Sequence, residues 1–150
     1  MTNLLVIGYG NELRGDDGVG PRVAWAVTAL GRAGVRAVAA HQLTPEMADL
    51  LRDTEAVVFV DARVDAPAVG MERLTPGPDN SGWGHTSDPR WLLSLTRAVH
   101  GHAPAAWLIT VPATDLAMGE GLSEVATSGM AEALRRIEAL ANVREGALRA

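Results

Sequence analysis

Asp16 and Asp17 are adjacent carboxylates at the end of a Gly-rich stretch, Gly8-Tyr9-Gly10-Asn11-Glu12-Leu13-Arg14-Gly15-Asp16-Asp17-Gly18. Asp61 closes the apolar run Ala56-Val57-Val58-Phe59-Val60, and His85 follows a loop rich in Pro, Gly, Asn and Ser. Carboxylates are rarely buried unless they are paired or bind a metal. Two of them brought together make a site that wants a cation or a shared proton. An added imidazole gives a mixed oxygen and nitrogen set, which suits zinc or nickel and leaves coordination positions open. The chain has no cysteine. Thiolate metal sites, disulfides and a Cys nucleophile are therefore excluded. No Ser lies in a nucleophile-elbow pattern.

Each of these residues also has a plainer reading. Asp is favoured in the first turn of a helix, where it caps N–H groups and complements the macrodipole. Of the pair, Asp16 is the better cap and Asp17 the better ligand. Asp61 can serve as a turn residue at a strand end. The Gly-rich turn invites a dinucleotide reading, but Leu13 stands where that fingerprint needs a third glycine. Two carboxylates at the helix start would also repel the phosphate that such a helix binds. Of the remaining histidines, His41 ends a strand, while His100 and His102 flank Gly101 at a helix end, where structural or solvated roles suffice.

The elements that must position these residues alternate along the chain. Leu4 to Ile7 reads as a buried strand, and Asp17 to Leu30 as a helix stopped by Gly31 and Gly34. Val35 to Ala40 is a second strand. Thr44 is a candidate N-cap, with Pro45 at the first helical position and Met47, Leu50 and Leu51 on the apolar face. Ala56 to Val60 is the third strand, with Asp61 at its carboxyl end. Val69 to Leu74 reads as an edge strand, and Thr75 to His85 as a loop long enough to suggest function. Pro89 to Val99 forms a helix capped by Ser87 or Asp88, and Ala105 to Val111 a strand. Ser123 to Ala141 forms the last helix, with Val125, Met130, Leu134, Ile137 and Leu140 at helical spacing and a frayed tail after Val143. Strands alternating with helices predict an α/β fold with a mostly parallel sheet. In such sheets ligands bind beyond the carboxyl ends of the strands.

Length and composition set the frame. The 150 residues fit one domain spanning 1–150, with 47% apolar and 21% charged residues. A net charge of −5 argues against a nucleic-acid surface. Met1 to Gly8 has no basic leader region, and no stretch is long enough for a membrane span, so a cytoplasmic protein is expected.

The stretch Gly8-Tyr9-Gly10-Asn11, followed by Arg14-Gly15-Asp16-Asp17-Gly18-Val19-Gly20, resembles the N-terminal signature of the hydrogenase maturation proteases. Val57 to Asp61 resembles that family's third strand with its terminal Asp. Gly84-His85 leading into Trp91-Leu92-Leu93 resembles its His and following helix, and Leu122-Ser123 its last helix start. The similarity runs from about residue 3 to about residue 140.

The resemblance implies a three-layer α/β/α sandwich with a five-stranded sheet, one strand antiparallel. It implies an endopeptidase, metal-dependent or of aspartic type. Such an enzyme removes a C-terminal extension from the large subunit of a nickel-iron hydrogenase after nickel insertion, recognising the bound metal. The family's metal-contacting residues map onto Asp17, Asp61 and His85, which the resemblance makes both the catalytic and the metal set. Asp17 stands where the family often has Glu. The nickel is supplied by the substrate subunit, and zinc or another divalent ion is expected to substitute. The partner is the large-subunit precursor, and the protein is expected to act as a monomer. Many members carry an Asp-Gly-Gly-Thr-like recognition segment after the second strand. Here the segment is His41-Gln42-Leu43-Thr44-Pro45-Glu46, which looks like the branch serving bidirectional NAD-linked hydrogenases. His41 and Gln42 are the candidate substrate-binding residues. The alternative from another class is a non-catalytic nickel-binding chaperone or checkpoint module built on the same three ligands.

Overall fold

The computed structural model describes residues 2–77 and 88–149. Period-two burial organises the sheet. Within β1 (Thr2–Tyr9), Leu4 and Val6 face one layer while Leu5, Ile7 and Tyr9 face the other. In β3 (Thr54–Arg63), Ala56, Val58 and Val60 likewise oppose Val57 and Phe59. Both faces are covered, which is why these strands read as continuous apolar runs.

β2 (Val35–Ala40), β4 (Gly70–Leu74) and β5 (Ala105–Pro112) complete a five-stranded sheet in the order β2-β1-β3-β5-β4. All pairs are parallel except β4 with β5. The antiparallel strand is the expected edge segment, one residue shorter than anticipated. Helices α1 (Val19–Leu30) and α4 (Glu124–Arg149) cover one face. There Val19, Val23, Val27, Ala133, Ile137 and Ala141 pack against the strands. Helices α2 (Ala48–Arg52) and α3 (Pro89–His100) cover the other, through Ala48, Leu51, Leu92 and Leu93. The result is the expected three-layer sandwich. No helix among the described residues is long and apolar enough to cross a membrane.

Several local expectations are corrected. A 3-10 turn over Gly15–Gly18 precedes α1, so Asp17 lies before the α-helix rather than in its first turn. Thr44 makes no side-chain capping bond, whereas Pro45 does open the next turn. Asp88 is the cap of α3, accepting from the Arg90 N–H at 2.9 Å. The buried stripe of α4 runs through Ala126, Ala133, Ile137 and Ala141, while Val125 is exposed. That helix does not fray at Val143 but continues to Arg149, and an Arg32–Glu145 ion pair at 2.7 Å ties it to the turn after α1.

The order of strands creates a switch point. The chain leaves β1 toward β2 on one side and returns to β3 on the other. The crevice beyond the carboxyl ends of β1 and β3 is where such sheets bind ligands. It is tightened by a backbone contact between β1 and α1. A Cβ on Gly20 would lie 2.4 Å from the Tyr9 carbonyl oxygen and 2.8 Å from that of Val60, and one on Gly8 would lie 1.9 Å from the Gly20 oxygen. No side chain fits there, and these backbone atoms have no rotamer through which to yield. Gly20→Ala is expected to cost about 3 kcal/mol or more of stability, read as a lowered urea midpoint. An unchanged midpoint would refute the contact.

Candidate active site

β3 carries Asp61 on the face that Phe59 and Tyr9 share, toward α3. The strand runs two residues beyond Asp61, which pairs with Thr110 of β5, so this carboxylate is part of the sheet rather than of a turn. It is half-buried. A cavity of about 320 Å³ opens over it, lined also by Tyr9, Arg63, Glu72, Asp88 and Arg90. Tyr9 lies beside Asp61 on the wall of that cavity.

Burial pushes the Asp61 carboxyl up to about 6. The Tyr9 hydroxyl opposes this, the neighbouring Asp17 charge adds to it, and the Ala62 N–H and Arg63 act the other way. Tyr9 in turn is held well above its usual range, first by burial and then by the Asp61 charge. A carboxyl raised in this way suits proton transfer near neutrality.

Asp17 is half-buried on the 3-10 turn that follows β1. Its Oδ2 accepts the Asn11 N–H at 2.7 Å, which folds the Gly-rich stretch back onto it. Its charge reaches Asp61, so the switch-point crevice holds two mutually repelling carboxylates. Among the described residues no set of three His, Asp or Glu side chains is gathered to hold an ion, and His85 lies outside the described residues. Asp88, which follows it in the chain, lines the Asp61 cavity.

Asp16 departs from expectation. It does not cap α1. It is fully buried and anchors the connection between β5 and α4. Oδ1 accepts the Ser123 N–H at 2.7 Å, and Oδ2 accepts the Thr114 N–H at 2.8 Å, the Asp115 N–H at 3.1 Å and the Ser123 hydroxyl at 2.7 Å. Burial alone would raise its pKa, but the bonds from Ser123, Thr114 and Asp115 outweigh burial and bring it down to about 2. Ser123 also accepts the Ala126 N–H at 3.2 Å, so one hydroxyl both caps α4 and serves Asp16.

His41 and Gln42 are exposed at the end of β2, on the same edge of the sheet as Asp17 and Asp61. His100 pairs with Asp49 at 2.9 Å, and His102 meets the Arg52 carbonyl at 3.0 Å, so both have structural partners. Sequence reasoning had passed over Tyr9, although it ends an apolar strand on the face that Asp61 shares. Arg63 and Glu72 gave no signal, because only the register of β3, β5 and β4 brings them to the crevice.

The fold matches that of solved hydrogenase maturation proteases. The chain superposes on the hydrogenase 2 maturation peptidase from a Thaumarchaeota archaeon with a TM-score of 0.68 and 26% identity, over 92% of this chain and 97% of that one. It superposes on the hydrogenase maturating endopeptidase HybD from E. coli with a TM-score of 0.73 and 20% identity, over 96% and 93%. For the NiFe hydrogenase maturation protease HycI from Thermococcus kodakarensis KOD1 the values are 0.69 and 22%, over 96% and 93%. No family model matches the sequence, and no curated protein sequence matches it.

Two outcomes follow from these electrostatics. In Asp16→Asn an amide N–H must face donors that now meet an anion, so about 3 kcal/mol of stability should be lost. The Asp16 contribution is present above its ordinary value of 3.8 and is lost as pH falls toward 2. The deficit of the variant in urea melts should therefore shrink at pH 2, and a constant deficit would refute the assignment. Asp61 has the opposite sign, since its ionisation costs stability as pH rises from 3.8 to about 6. Carbon-13 NMR should place its midpoint near 6 and find it lower in Asp17→Asn. An unmoved midpoint would separate the two carboxylates.

Proposed function

We propose that this chain is an endopeptidase that removes a C-terminal extension from the large subunit of a nickel-iron hydrogenase once nickel has been inserted. The single observation that carries the reading is the Asp17–Asp61 pair at the switch-point crevice of a fold shared with solved hydrogenase maturation peptidases. In this reading Asp17, Asp61 and His85 form the site that meets the substrate's nickel, and zinc or another divalent ion can take the metal's place in binding. Two half-buried carboxylates favour a docked cation over an empty crevice. Nickel loading would thus strengthen recognition and would bring one peptide bond beside Asp61.

Hydrolysis adds water to the scissile carbonyl and breaks the C–N bond, and the departing amine takes a proton. The bound metal supplies polarisation of the carbonyl. Asp61 would take the proton from water and return it to the amine. Tyr9 lines the same cavity beside Asp61. Asp17 accepts the Asn11 N–H through one oxygen, leaving the other for the crevice. The protein acts in the cytoplasm as a monomer, on the precursor of a bidirectional NAD-linked hydrogenase, and His41 and Gln42 help choose that subunit.

The test is incubation of the chain with a nickel-loaded precursor subunit, read by intact mass. Loss of the extension is expected with the wild type, and no product with Asp61→Asn or His85→Ala, both still folded by circular dichroism. Replacement of His41 and Gln42 together should impair cleavage while leaving zinc or nickel affinity by calorimetry nearly unchanged. Metal binding without turnover by the wild type would instead support a nickel-binding checkpoint module.

A further inference from the structure

Leu13 and Trp25 are large apolar side chains left half in solvent, at 50% and 49% exposure. They line one groove of about 380 Å³, together with Gly10, Asn11, Glu12 and His41. An indole left this open is costly on a surface that meets only water, and such side chains serve as anchors where a partner buries them. Met118, in the loop before α4, is 79% exposed. Its neighbour Gly119 donates its N–H to the Leu13 carbonyl at 2.7 Å and accepts the Gly15 N–H at 2.9 Å, which holds that loop against the rim.

The groove adjoins the turn that carries Asp17. Gly10 and Asn11 line it, and Asn11 donates to Asp17 at 2.7 Å. The Gly10 backbone lies so close to Asp17 that a Cβ there would be 2.0 Å from the Asp17 carbonyl oxygen. One wall is Trp25 and Pro21 of α1, and the other is Ala39 and Ala40 at the end of β2. Among the described residues β2 is an edge strand with β1 as its one strand neighbour, and small side chains stand at this end of it. A segment running along such an edge is extended, as in β-augmentation. Glu12 on the rim, with Asp17 beyond it, favours a basic residue in what binds.

We propose that this groove receives an extended stretch of the precursor polypeptide, with an apolar side chain held between Trp25 and Leu13 and a basic neighbour toward Glu12. The proposal rests on the peptidase reading above and adds to it the residues that hold the chain leading to the crevice. Trp25 and Leu13 are positioning residues, remote from the reacting bond. Their loss should therefore weaken substrate capture without slowing the chemical step.

The experiment uses the full chain and two probes, the nickel-free and the nickel-loaded precursor of a nickel-iron hydrogenase large subunit. Equilibrium binding is measured with the first, and kcat and KM with the second. Trp25→Ala and Leu13→Ser should each weaken binding and raise KM roughly tenfold, with kcat within about twofold of the wild type. Trp25→Phe should restore most of the loss. Leu30→Ser, an exposed apolar position at the far end of α1, should change nothing. Cleavage by the wild type with unaltered KM and binding in both variants would overturn the groove and leave the peptidase reading standing. Trp25-dependent binding without cleavage would sustain the groove and sink the peptidase reading. A wild type that neither binds nor cuts either precursor would remove both.

Discussion

A buried anion needs donors, and the Asp16 carboxylate has them from Thr114, Asp115 and Ser123. A carboxylate taken out of water without such partners costs several kcal/mol. The chain between β5 and α4 is therefore obliged to wrap the turn after β1. That wrapping has three consequences. It starts α4 at Ser123, it fixes the loop that carries Met118 and Gly119 against Leu13, and it holds the 3-10 turn on which Asp17 stands. The position of the candidate ligand thus depends on a residue that does not face the crevice.

Much of the fold was legible because the central strands are buried on both faces. Leu4 to Ile7 and Ala56 to Val60 are continuous apolar runs, and the turns between them carry Gly and Pro at the ends of elements. Errors fell where the deciding partner is remote in sequence. Asp16 looked like a helix cap because its local spacing allows one, but its donors lie 98 to 107 residues away. Thr44 looked like a cap for the same reason, yet its side chain accepts no N–H of the turn it precedes, and Pro45 fixes that turn instead. The end of α4 looked frayed because terminal segments are loose unless tied down, whereas the Arg32–Glu145 pair holds it against the loop after α1.

The candidate site was partly legible. A carboxylate at the end of an apolar strand is visible from sequence, and so is one after the Gly-rich turn. The coupling between them is not, since it requires β1 and β3 to be neighbours, and that is a property of strand order. Tyr9 illustrates the gap. Alternation places it on the face of Ile7, and the register that sets Ile7 beside Phe59 puts it next to Asp61, two residues further along β3. The aromatic ring fills the layer under α3 beside the carboxylate, so one side chain closes the core and begins the site.

The Asp16-Asp17 pair shows how two chemically identical neighbours acquire different roles. On a 3-10 turn successive residues point about 120° apart, so adjacent carboxylates cannot share a surroundings. One is turned inward, where five polar atoms of a distant loop crowd around it and hold it ionised down to about pH 2. The other is turned to the crevice, where its chief contact is the Asn11 N–H and its charge acts on Asp61. The inward anchor makes that turn stable, and so the structural carboxylate enables the chemical one.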